Sequence, residues 1–370
     1  MTPHDVLAAV HALAPTIAAR AAEAEAGRRL PADLLAALRD AGCFRMSMPE
    51  SHGGLGADLG AISGVLEALA RADAATAWTV MIGGNAWVDV AALPRTTFDK
   101  AFDRPDVIVA GVFAPSGSIA AVDDGYRVSG RWSFASGCEH ADVLYANCVD
   151  QDGELRMALL TPDDVQVEDT WTAAGLCGTG SHHFRVADRV VPADHTYRLF
   201  ADPPCLDAAI TAIPPPTLLC LLIAAVAVGI AQGALDDLGA LAARKTPLLD
   251  HAPLTADPAF QIELARADTD VRACRALLAA TADDVWASAA LTMPQRARAR
   301  ATAVWVTARA AAVVTAAHHT AGSTAVDAAS PLHRRLRDVH TLTQHFLVKR
   351  STLATAGAVL AGREVAVPVF

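Results

Sequence analysis

Residues 130–137, with the sequence GRWSFASG, place two hydroxyl groups and two aromatic rings between two glycines in one short segment. Ser136 can both donate and accept a hydrogen bond, and Gly137 has no Cβ, so a ligand could approach the backbone closely there. Trp132 and Phe134 follow the two-residue period of a strand. The pattern is typical of the edge of a site for a flat, redox-active ring, although a core strand of a β-sandwich ending in a turn serine would have it too.

His345, far from residues 130–137 in the sequence, is a candidate proton donor or acceptor, because an imidazole can give or take a proton near neutral pH. It follows Arg337 and Asp338 in a segment of helical character. On one continuous helix Asp338 would lie two turns from His345, too far for direct contact. A histidine that is buried for structural reasons alone is the other interpretation.

Composition excludes several classes of function. The chain has 370 residues, 53% of them hydrophobic, which is enough for two or three domains with a substantial core. A net charge of -10 leaves no basic stripe for nucleic acid. The longest apolar stretch, residues 217–231, is too short and too rich in alanine for a membrane span, and it predicts a buried helix.

The cysteines and the N-terminus indicate the compartment. The seven cysteines have no metal-ligand spacing, so we predict reduced thiols and no metal site. The first residues show neither a basic leader nor the apolar region of a signal peptide. A cytoplasmic location is therefore expected.

Three blocks of different periodicity must position the candidate residues. Residues 1–104 have helical periodicity, residues 105–204 have strand periodicity with regular turn signals, and residues 205–370 are again helical. The glycine-rich residues 48–56 lack the Gly-Lys-Ser/Thr ending of a phosphate-binding loop and predict a sharp turn between helices. We expect a mainly α protein with a central antiparallel β-domain.

Four segments, taken in this order, resemble the acyl-CoA dehydrogenase superfamily: residues 48–56 (MPESHGGLG), residues 130–137, the turn GLCGTGS at residues 175–181, and the C-terminal residues 330–345. More narrowly, they resemble its oxygenase branch, the two-component monooxygenases that use reduced flavin. That branch includes hydroxylases of p-hydroxyphenylacetate, the dibenzothiophene S-oxygenase and amino-sugar N-oxygenases. The resemblance covers nearly the whole chain and implies an N-terminal helical domain, an antiparallel β-domain and a C-terminal four-helix bundle.

The resemblance implies a flavin-dependent monooxygenase. Such an enzyme would take reduced FMN, or reduced FAD, from a separate NAD(P)H flavin reductase and oxygenate a small molecule through a C4a-hydroperoxyflavin. The chain has no dinucleotide-binding fingerprint of its own, which agrees with an external reductase. We expect an aromatic or polycyclic substrate, such as a biosynthetic intermediate, and the family implies a homotetramer.

The resemblance also assigns roles to single residues. Ser136 would hydrogen-bond N5 of the flavin, while Trp132 and Phe134 would form walls beside the ring. His345 would manage protons near the C4a edge or deprotonate a substrate phenol.

Further flavin contacts are implied at two other places. The hydroxyls of Thr179 and Ser181 would contact the flavin, with an ordinary turn as the alternative. Arg244, or Lys245 in its place, would bind the flavin phosphate. The alternative for these two cations is a solvated helix end, where positive charge is favoured by the helix dipole.

Two residues depart from the oxygenase pattern. Asn85 occupies the position where a histidine is usual, and an amide can hydrogen-bond a substrate or the peroxide but cannot act as a general base. Either His345 works alone, or the reaction needs no base there, as in the oxidation of an amine or a sulfur atom. Cys177 occupies the position of a common basic residue, so a flavin or inter-subunit contact could be missing.

Two other functions stay open. A true acyl-CoA dehydrogenase needs a carboxylate that faces the ring, but no acidic residue occurs between Asp207 and Asp236, and only Asp338 and Glu364 follow residue 330. A non-catalytic relative that binds flavin or a pathway intermediate without turnover has only Asn85 in its favour.

Overall fold

The structure is a computed structural model that describes residues 1–248 and 251–365. Its N-terminal unit contains the helices α1 (Pro3–Gly27), α2 (Ala32–Asp40), α3 (Leu59–Ala72), α4 (Ala74–Asn85) and α5 (Arg95–Ala101). Side-chain oxygens of Thr2, Asp58 and Asp73 accept hydrogen bonds from first-turn N–H groups and so start α1, α3 and α4. The glycine-rich segment between α2 and α3 contains a 3-10 turn at Glu50–His52.

A seven-stranded sheet follows, in the order β5-β6-β2-β1-β3-β4-β7. Its strands are β1 (Val109–Val122), β2 (Gly125–Ala135), β3 (Val143–Val149), β4 (Leu155–Leu160), β5 (Gln166–Glu168), β6 (His182–Val191) and β7 (Thr196–Arg198). After β2 the chain crosses to the other side of β1, and β3 therefore pairs with β1 in parallel. The sheet is therefore mixed, and the parallel β1–β3 pair corrects the prediction of an antiparallel domain.

The C-terminal unit contains α6 (Pro215–Ala242), α7 (Pro258–Trp286), α8 (Met293–Ala321), α9 (Pro331–Leu342) and α10 (Thr352–Leu360). The three long helices pack side by side, and the short α9 takes the fourth position against α6 and α8. Residues 249–250 and 366–370, which belong to the predicted third block, lie outside the described residues.

The helix α6 joins the N-terminal and C-terminal units, since it packs against both α3 and α8. It is long and apolar enough to cross a membrane by length and composition, but 89% of its most apolar window is buried inside the protein. A helix that is apolar on all sides is expected in the centre of a large core. The prediction of a buried helix over residues 217–231 is confirmed.

The helices of the two units share one continuous hydrophobic core, while the sheet has a second core of its own. The last N-terminal helix ends at Ala101 and β1 begins at Val109, on either side of the predicted boundary at residue 104. The sheet is thus held between two helical units, and the junction of the three forms the candidate site.

Candidate active site

A cavity of about 540 Å³ lies where the sheet meets the helices. Its walls come from α4 and the residues after it, from β1, β2 and β3, from the turn before β6, and from the start of α6 and the end of α9. Five residues that the sequence analysis named lie on these walls: Phe134, Ser136, Thr179, Ser181 and His345. Residues that are far apart in the chain therefore meet at one site.

Ser136 belongs to a chain of hydroxyl groups on one wall. Trp78 Nε1 donates to Ser136 Oγ over 3.0 Å, the Oγ atoms of Ser136 and Ser181 are 2.8 Å apart, and Ser181 Oγ is 2.6 Å from Thr179 Oγ1. Thr179 Oγ1 donates to the carbonyl of Leu176 over 2.8 Å. Because each hydroxyl has one proton, Ser181 must then donate to Thr179 and Ser136 to Ser181.

The same hydroxyl chain can also run in the opposite direction. The carbonyl of Leu176 accepts two further hydrogen bonds, each of 3.1 Å, from the backbone N–H of Thr179 and from Trp171 Nε1. The Leu176 carbonyl therefore still accepts hydrogen bonds when the Thr179 hydroxyl donates elsewhere. If Thr179 donates to Ser181 and Ser181 to Ser136, the Ser136 proton can point into the cavity.

A bulge at the end of β2 places Ser136 and Phe134 at the cavity. The register of β2 against β6 shifts just after Trp132, and Phe134 adopts a φ of 68°, in the left-handed region that few side-chain-bearing residues occupy. Gly137 follows with a φ of 73°. Bulges commonly redirect side chains beside active sites. Here the bulge leaves the Phe134 ring 67% exposed at the cavity.

Trp132 does not line the cavity, which corrects the expectation that it forms a wall beside a ligand ring. Its fully buried indole stacks on Phe184, with ring centroids 5.2 Å apart, and Nε1 donates to the carbonyl of Asn147 over 2.7 Å. In a regular strand Trp132 and Phe134 would share one face. The bulge between them leaves Trp132 in the sheet core and turns Phe134 outward.

His345 lies in the turn after α9, because that helix ends at Leu342. Its ring packs edge-on against Trp78, with centroids 5.6 Å apart. The indole that donates to Ser136 therefore also contacts His345, so Trp78 links the two residues. His345 Nδ1 accepts a weak 3.4 Å hydrogen bond from the N–H of Leu347.

The protonation state of His345 differs from the expectation. Burial, followed by the positive charges of Arg300 and Lys349, lowers the pKa of His345 to about 4. The imidazole is therefore neutral at pH 7 and does not titrate near neutrality. A neutral ring with Nδ1 as acceptor carries its proton on Nε2.

Asp338 attaches the turn that contains Leu176 to α9. Its Oδ1 accepts the N–H of Leu176 over 2.6 Å, while Arg337 Nη1 donates to the carbonyl of Ala174 over 2.6 Å. Gly175 lies so close to α9 that a Cβ there would come within 2.2 Å of the Arg337 carbonyl oxygen. The Arg-Asp pair of the C-terminal motif thus positions a wall of the cavity and does not contact His345.

Arg244 lies far from the cavity of its own chain. The cavity touches α6 at Pro215 and Pro216, whereas Arg244 is exposed just beyond the other end of this 28-residue helix. A helix of that length spans roughly 40 Å. Lys245, the alternative cation, donates to the carbonyl of Ala321 over 2.6 Å and is likewise remote. Neither residue can contact a ligand in the cavity of its own chain.

Asn85 and Cys177 do not line the cavity either. Asn85 Nδ2 donates to the carbonyl of Met81 over 2.9 Å, and its side chain borders a separate void of about 20 Å³. Cys177 is half-buried, with its Sγ 3.1 Å from the carbonyl of Ala173. The structure therefore gives Asn85 no direct contact with a ligand in the main cavity.

Asp89 and Tyr145 are cavity residues that the sequence analysis did not identify. The Tyr145 hydroxyl donates to Asp89 Oδ2 over 2.9 Å, and the Tyr197 hydroxyl donates to the backbone carbonyl of Asp89. Burial raises the pKa of Asp89 to about 7. One signal was available: Asp89 is the single acidic residue between Asp73 and Asp99, in an otherwise mostly apolar stretch.

The C-terminal acids do not supply the carboxylate that a dehydrogenase needs. Asp338 is buried against Leu176, and Glu364 is exposed after α10. Within the described part of the chain, no group of three or more His, Cys, Asp or Glu residues could hold a metal ion.

Comparisons with known proteins agree with this geometry. The family models "Acyl-CoA dehydrogenase, N-terminal domain" and "Acyl-CoA dehydrogenase, C-terminal domain" match residues 5–92 and 221–350. The oxygenase subunit HsaA of a flavin-dependent monooxygenase from Rhodococcus jostii is 30% identical over 351 residues, which cover 90% of this chain and 92% of that protein. The chain belongs to the flavin-dependent monooxygenases that share the acyl-CoA dehydrogenase fold.

Two further proteins resemble this chain over nearly its whole length. Indole-3-acetate monooxygenase of Pseudomonas putida is 28% identical over 355 residues, covering 94% of this chain and 91% of that protein. XiaF from Streptomyces sp., solved in complex with FADH2 and glycerol, has the same fold with a TM-score of 0.91, at 24% identity and with coverage of 99% of this chain and 97% of that one.

The cavity of this monooxygenase has the chemistry that a flavin ring requires. Phe134 and Trp171 present aromatic surfaces to it, with their centroids 6.2 Å apart. A planar ring would cover the exposed face of Phe134, and Ser136 offers a hydroxyl whose proton can point toward or away from it. The residues present therefore fit a flavin.

Proposed function

We propose that this monooxygenase is the oxygenase component of a two-component system. It takes reduced flavin from a separate reductase and uses it with O2 to add one oxygen atom to an aromatic small molecule. The observation that carries the proposal is the apolar cavity in which a hydroxyl chain and a neutral imidazole both contact Trp78. The relative named for indole-3-acetate supports an aromatic substrate.

Ser136 is proposed to hydrogen-bond a ring nitrogen of the flavin. When bound, the reduced flavin supplies the two electrons that activate O2. Ser181 and Thr179 set the direction of the Ser136 proton, so Ser136 can act as a donor or as an acceptor. Phe134 and Trp171 hold the ring through aromatic contacts.

His345 is proposed to act as a neutral hydrogen-bonding group. Because its Nδ1 accepts from the N–H of Leu347, its Nε2 carries the proton that it can donate to a ligand. Apolar walls around this side chain keep water away, which prevents the loss of activated oxygen as hydrogen peroxide.

Arg244 is proposed to serve a second copy of the chain. Since α6 separates it from its own cavity by roughly 40 Å, it can reach flavin only across a subunit interface, as a homotetramer would allow. The FADH2 bound by XiaF makes reduced FAD a candidate equal to reduced FMN. A cytoplasmic location agrees with the seven free cysteines, which are typical of a reducing compartment.

The function is tested by anaerobic titration of the protein with reduced FMN and reduced FAD, followed by rapid mixing with O2. We expect saturable binding of one reduced flavin and a transient absorbance before the spectrum of oxidised flavin appears. Ser136→Ala should weaken flavin binding and increase the yield of hydrogen peroxide. The matched control is Ser118→Ala, since Ser118 is exposed on β1 and does not line the cavity.

Two outcomes would contradict the proposed function, and a third would remove the role of Ser136. Tight binding of oxidised FAD that is bleached by an acyl-CoA would establish dehydrogenase chemistry instead. Absence of flavin binding in either redox state would leave a non-catalytic relative. Equal hydrogen peroxide yields for Ser136→Ala and the wild type would remove the role assigned to Ser136.

A further inference from the structure

The carboxyl group of Asp89 lines the cavity and has an acceptor oxygen to spare. Its Oδ2 accepts from the Tyr145 hydroxyl over 2.9 Å. Among the described residues, the Tyr145 hydroxyl is the one side-chain donor to this carboxylate, and no cation stabilises its charge. A carboxylate without a cation in an apolar setting lowers the stability of the fold, so this arrangement does not favour a purely structural role for Asp89.

The backbone around Asp89 is held firmly. The Tyr197 hydroxyl donates to the Asp89 carbonyl, and the Tyr145 ring packs so closely on Gly111 that a Cβ at that glycine would lie 2.4 Å from the ring. Tyr145 and Tyr197 are both buried. The fold therefore fixes where the Asp89 carboxyl points, as expected for a group that must recognise a ligand.

The surroundings of Asp89 add a second unused acceptor. Asn85 Oδ1 is buried and has no hydrogen-bond partner among the residues that the structure describes. It borders the small void of about 20 Å³, whose lining also includes Asp89 and Tyr145. Asp89 thus lies between the main cavity and a small void that holds a second acceptor, whereas the rest of the cavity lining is mainly apolar.

We infer that Asp89 recognises the hydroxyl or N–H group of the aromatic substrate and accepts its proton. The inference rests on the proposed function. When a proton is transferred, the O–H or N–H bond of the substrate breaks, a new O–H bond forms on Asp89 Oδ1, and the substrate keeps the electron pair. The ring becomes richer in electrons, which favours transfer of an electrophilic oxygen atom to it.

This assignment supplies the base that Asn85 cannot provide. The other titratable groups near Asp89 are Tyr145 and Tyr197, with His345 and Lys349 elsewhere on the cavity wall. Burial raises the pKa of Tyr145 and Tyr197 further above neutrality and lowers that of His345 to about 4. Tyr145, Tyr197 and His345 are therefore not expected to change their charge between pH 6 and pH 8. Burial raises the pKa of Asp89 to about 7, within this range.

The test uses the flavin-free protein and two probes of nearly the same shape, 2-naphthol and 2-methylnaphthalene. Calorimetry gives the dissociation constant of each probe for the wild type, for Asp89→Asn and for the control Asp124→Asn, which replaces an exposed acid in the β1–β2 turn. The preference for 2-naphthol is the dissociation constant of 2-methylnaphthalene divided by that of 2-naphthol. At pH 8 we expect Asp89→Asn to lower this preference by about tenfold, because it replaces a charged acceptor with a neutral one. Asp124→Asn should leave the preference unchanged.

The pH dependence provides a second criterion. In the wild type the preference for 2-naphthol should weaken as the pH falls from 8 to 6, because protonation makes the Asp89 carboxyl a poorer acceptor. Asp89→Asn should show no such dependence. The inference is overturned if the wild type fails to bind 2-naphthol, or if wild type and Asp89→Asn share the same preference at pH 8. Because no flavin is present, this result is independent of whether the protein binds flavin.

Discussion

The substitution Asp338→Asn should stabilise the protein at alkaline pH and have less effect at acidic pH. Asp338 is 4% exposed, and burial, together with the negative charge of Asp73, raises its pKa from 3.8 to about 7. Since the folded protein binds this proton more tightly than the unfolded chain does, Asp338 favours folding below about pH 4. That contribution is lost as the pH rises to about 7.

The magnitude follows from the size of the shift. Each pKa unit corresponds to about 1.4 kcal/mol, so the rise of about 3 units sets an upper limit of roughly 4 kcal/mol. Between pH 5 and pH 8 about 2 of these units are titrated, which makes roughly 3 kcal/mol. Asparagine keeps an oxygen that can accept from the N–H of Leu176 and carries no charge. Relative to wild type, the variant should therefore gain about 2–3 kcal/mol when the pH rises from 5 to 8.

Urea unfolding of the wild type, Asp338→Asn and the exposed control Asp124→Asn at pH 5 and pH 8 measures this difference. The control should follow the wild type at both pH values. A stability difference between Asp338→Asn and wild type that is the same at pH 5 and pH 8 would refute the reasoning, because it would mean that Asp338 titrates alike in the folded and unfolded states.

Three further predictions follow from the same geometry. Gly175→Ala should lower the free energy of unfolding by about 1–3 kcal/mol, since the added Cβ would lie 2.2 Å from the Arg337 carbonyl oxygen. Thermal unfolding measures this loss, and an unchanged melting temperature would contradict the close contact. His345→Gln should lower the maximal rate but leave the shape of the pH–activity profile between pH 6 and pH 8 unchanged, because His345 is already neutral in this range. Loss of an ionisation from the profile would contradict the assigned neutral state of His345. Trp132→Phe should destabilise the protein by about 1–3 kcal/mol, because it removes the indole donor to the carbonyl of Asn147 and opens space in the core. The dissociation constant for reduced flavin should stay within about twofold of the wild-type value, and a large loss of flavin affinity would show that Trp132 contacts the flavin.

The sequence named residues that meet at one cavity where a motif fixes the local backbone. The Ser136 segment and the Thr179–Ser181 turn each end in glycine-containing turns, and the hydrogen bond from the N–H of Gly137 to the carbonyl of Thr179 brings them together. The helical, strand and helical periodicities likewise predicted the order of the three units. Such patterns report which face of an element is buried, and that is decided mostly by neighbours in the chain.

The failures have local and long-range causes. Trp132 and Phe134 share a face in any regular strand, and only the pairing of β2 with β6 shows the bulge that separates them. Asp89 and Tyr145 are 56 positions apart and form a pair because the segment after α4 packs against β3. No spacing rule connects them.

The sequence by itself determined the family, the order of helices and strands, and the hydroxyl and imidazole groups available for chemistry. Only the tertiary structure decided which of these groups share a cavity and in which protonation state. The lowered pKa of His345 and the raised pKa of Asp89 both arise from burial, and burial depends on contacts between distant segments. A residue type states what a side chain can do, whereas its surroundings in the folded protein determine what it does.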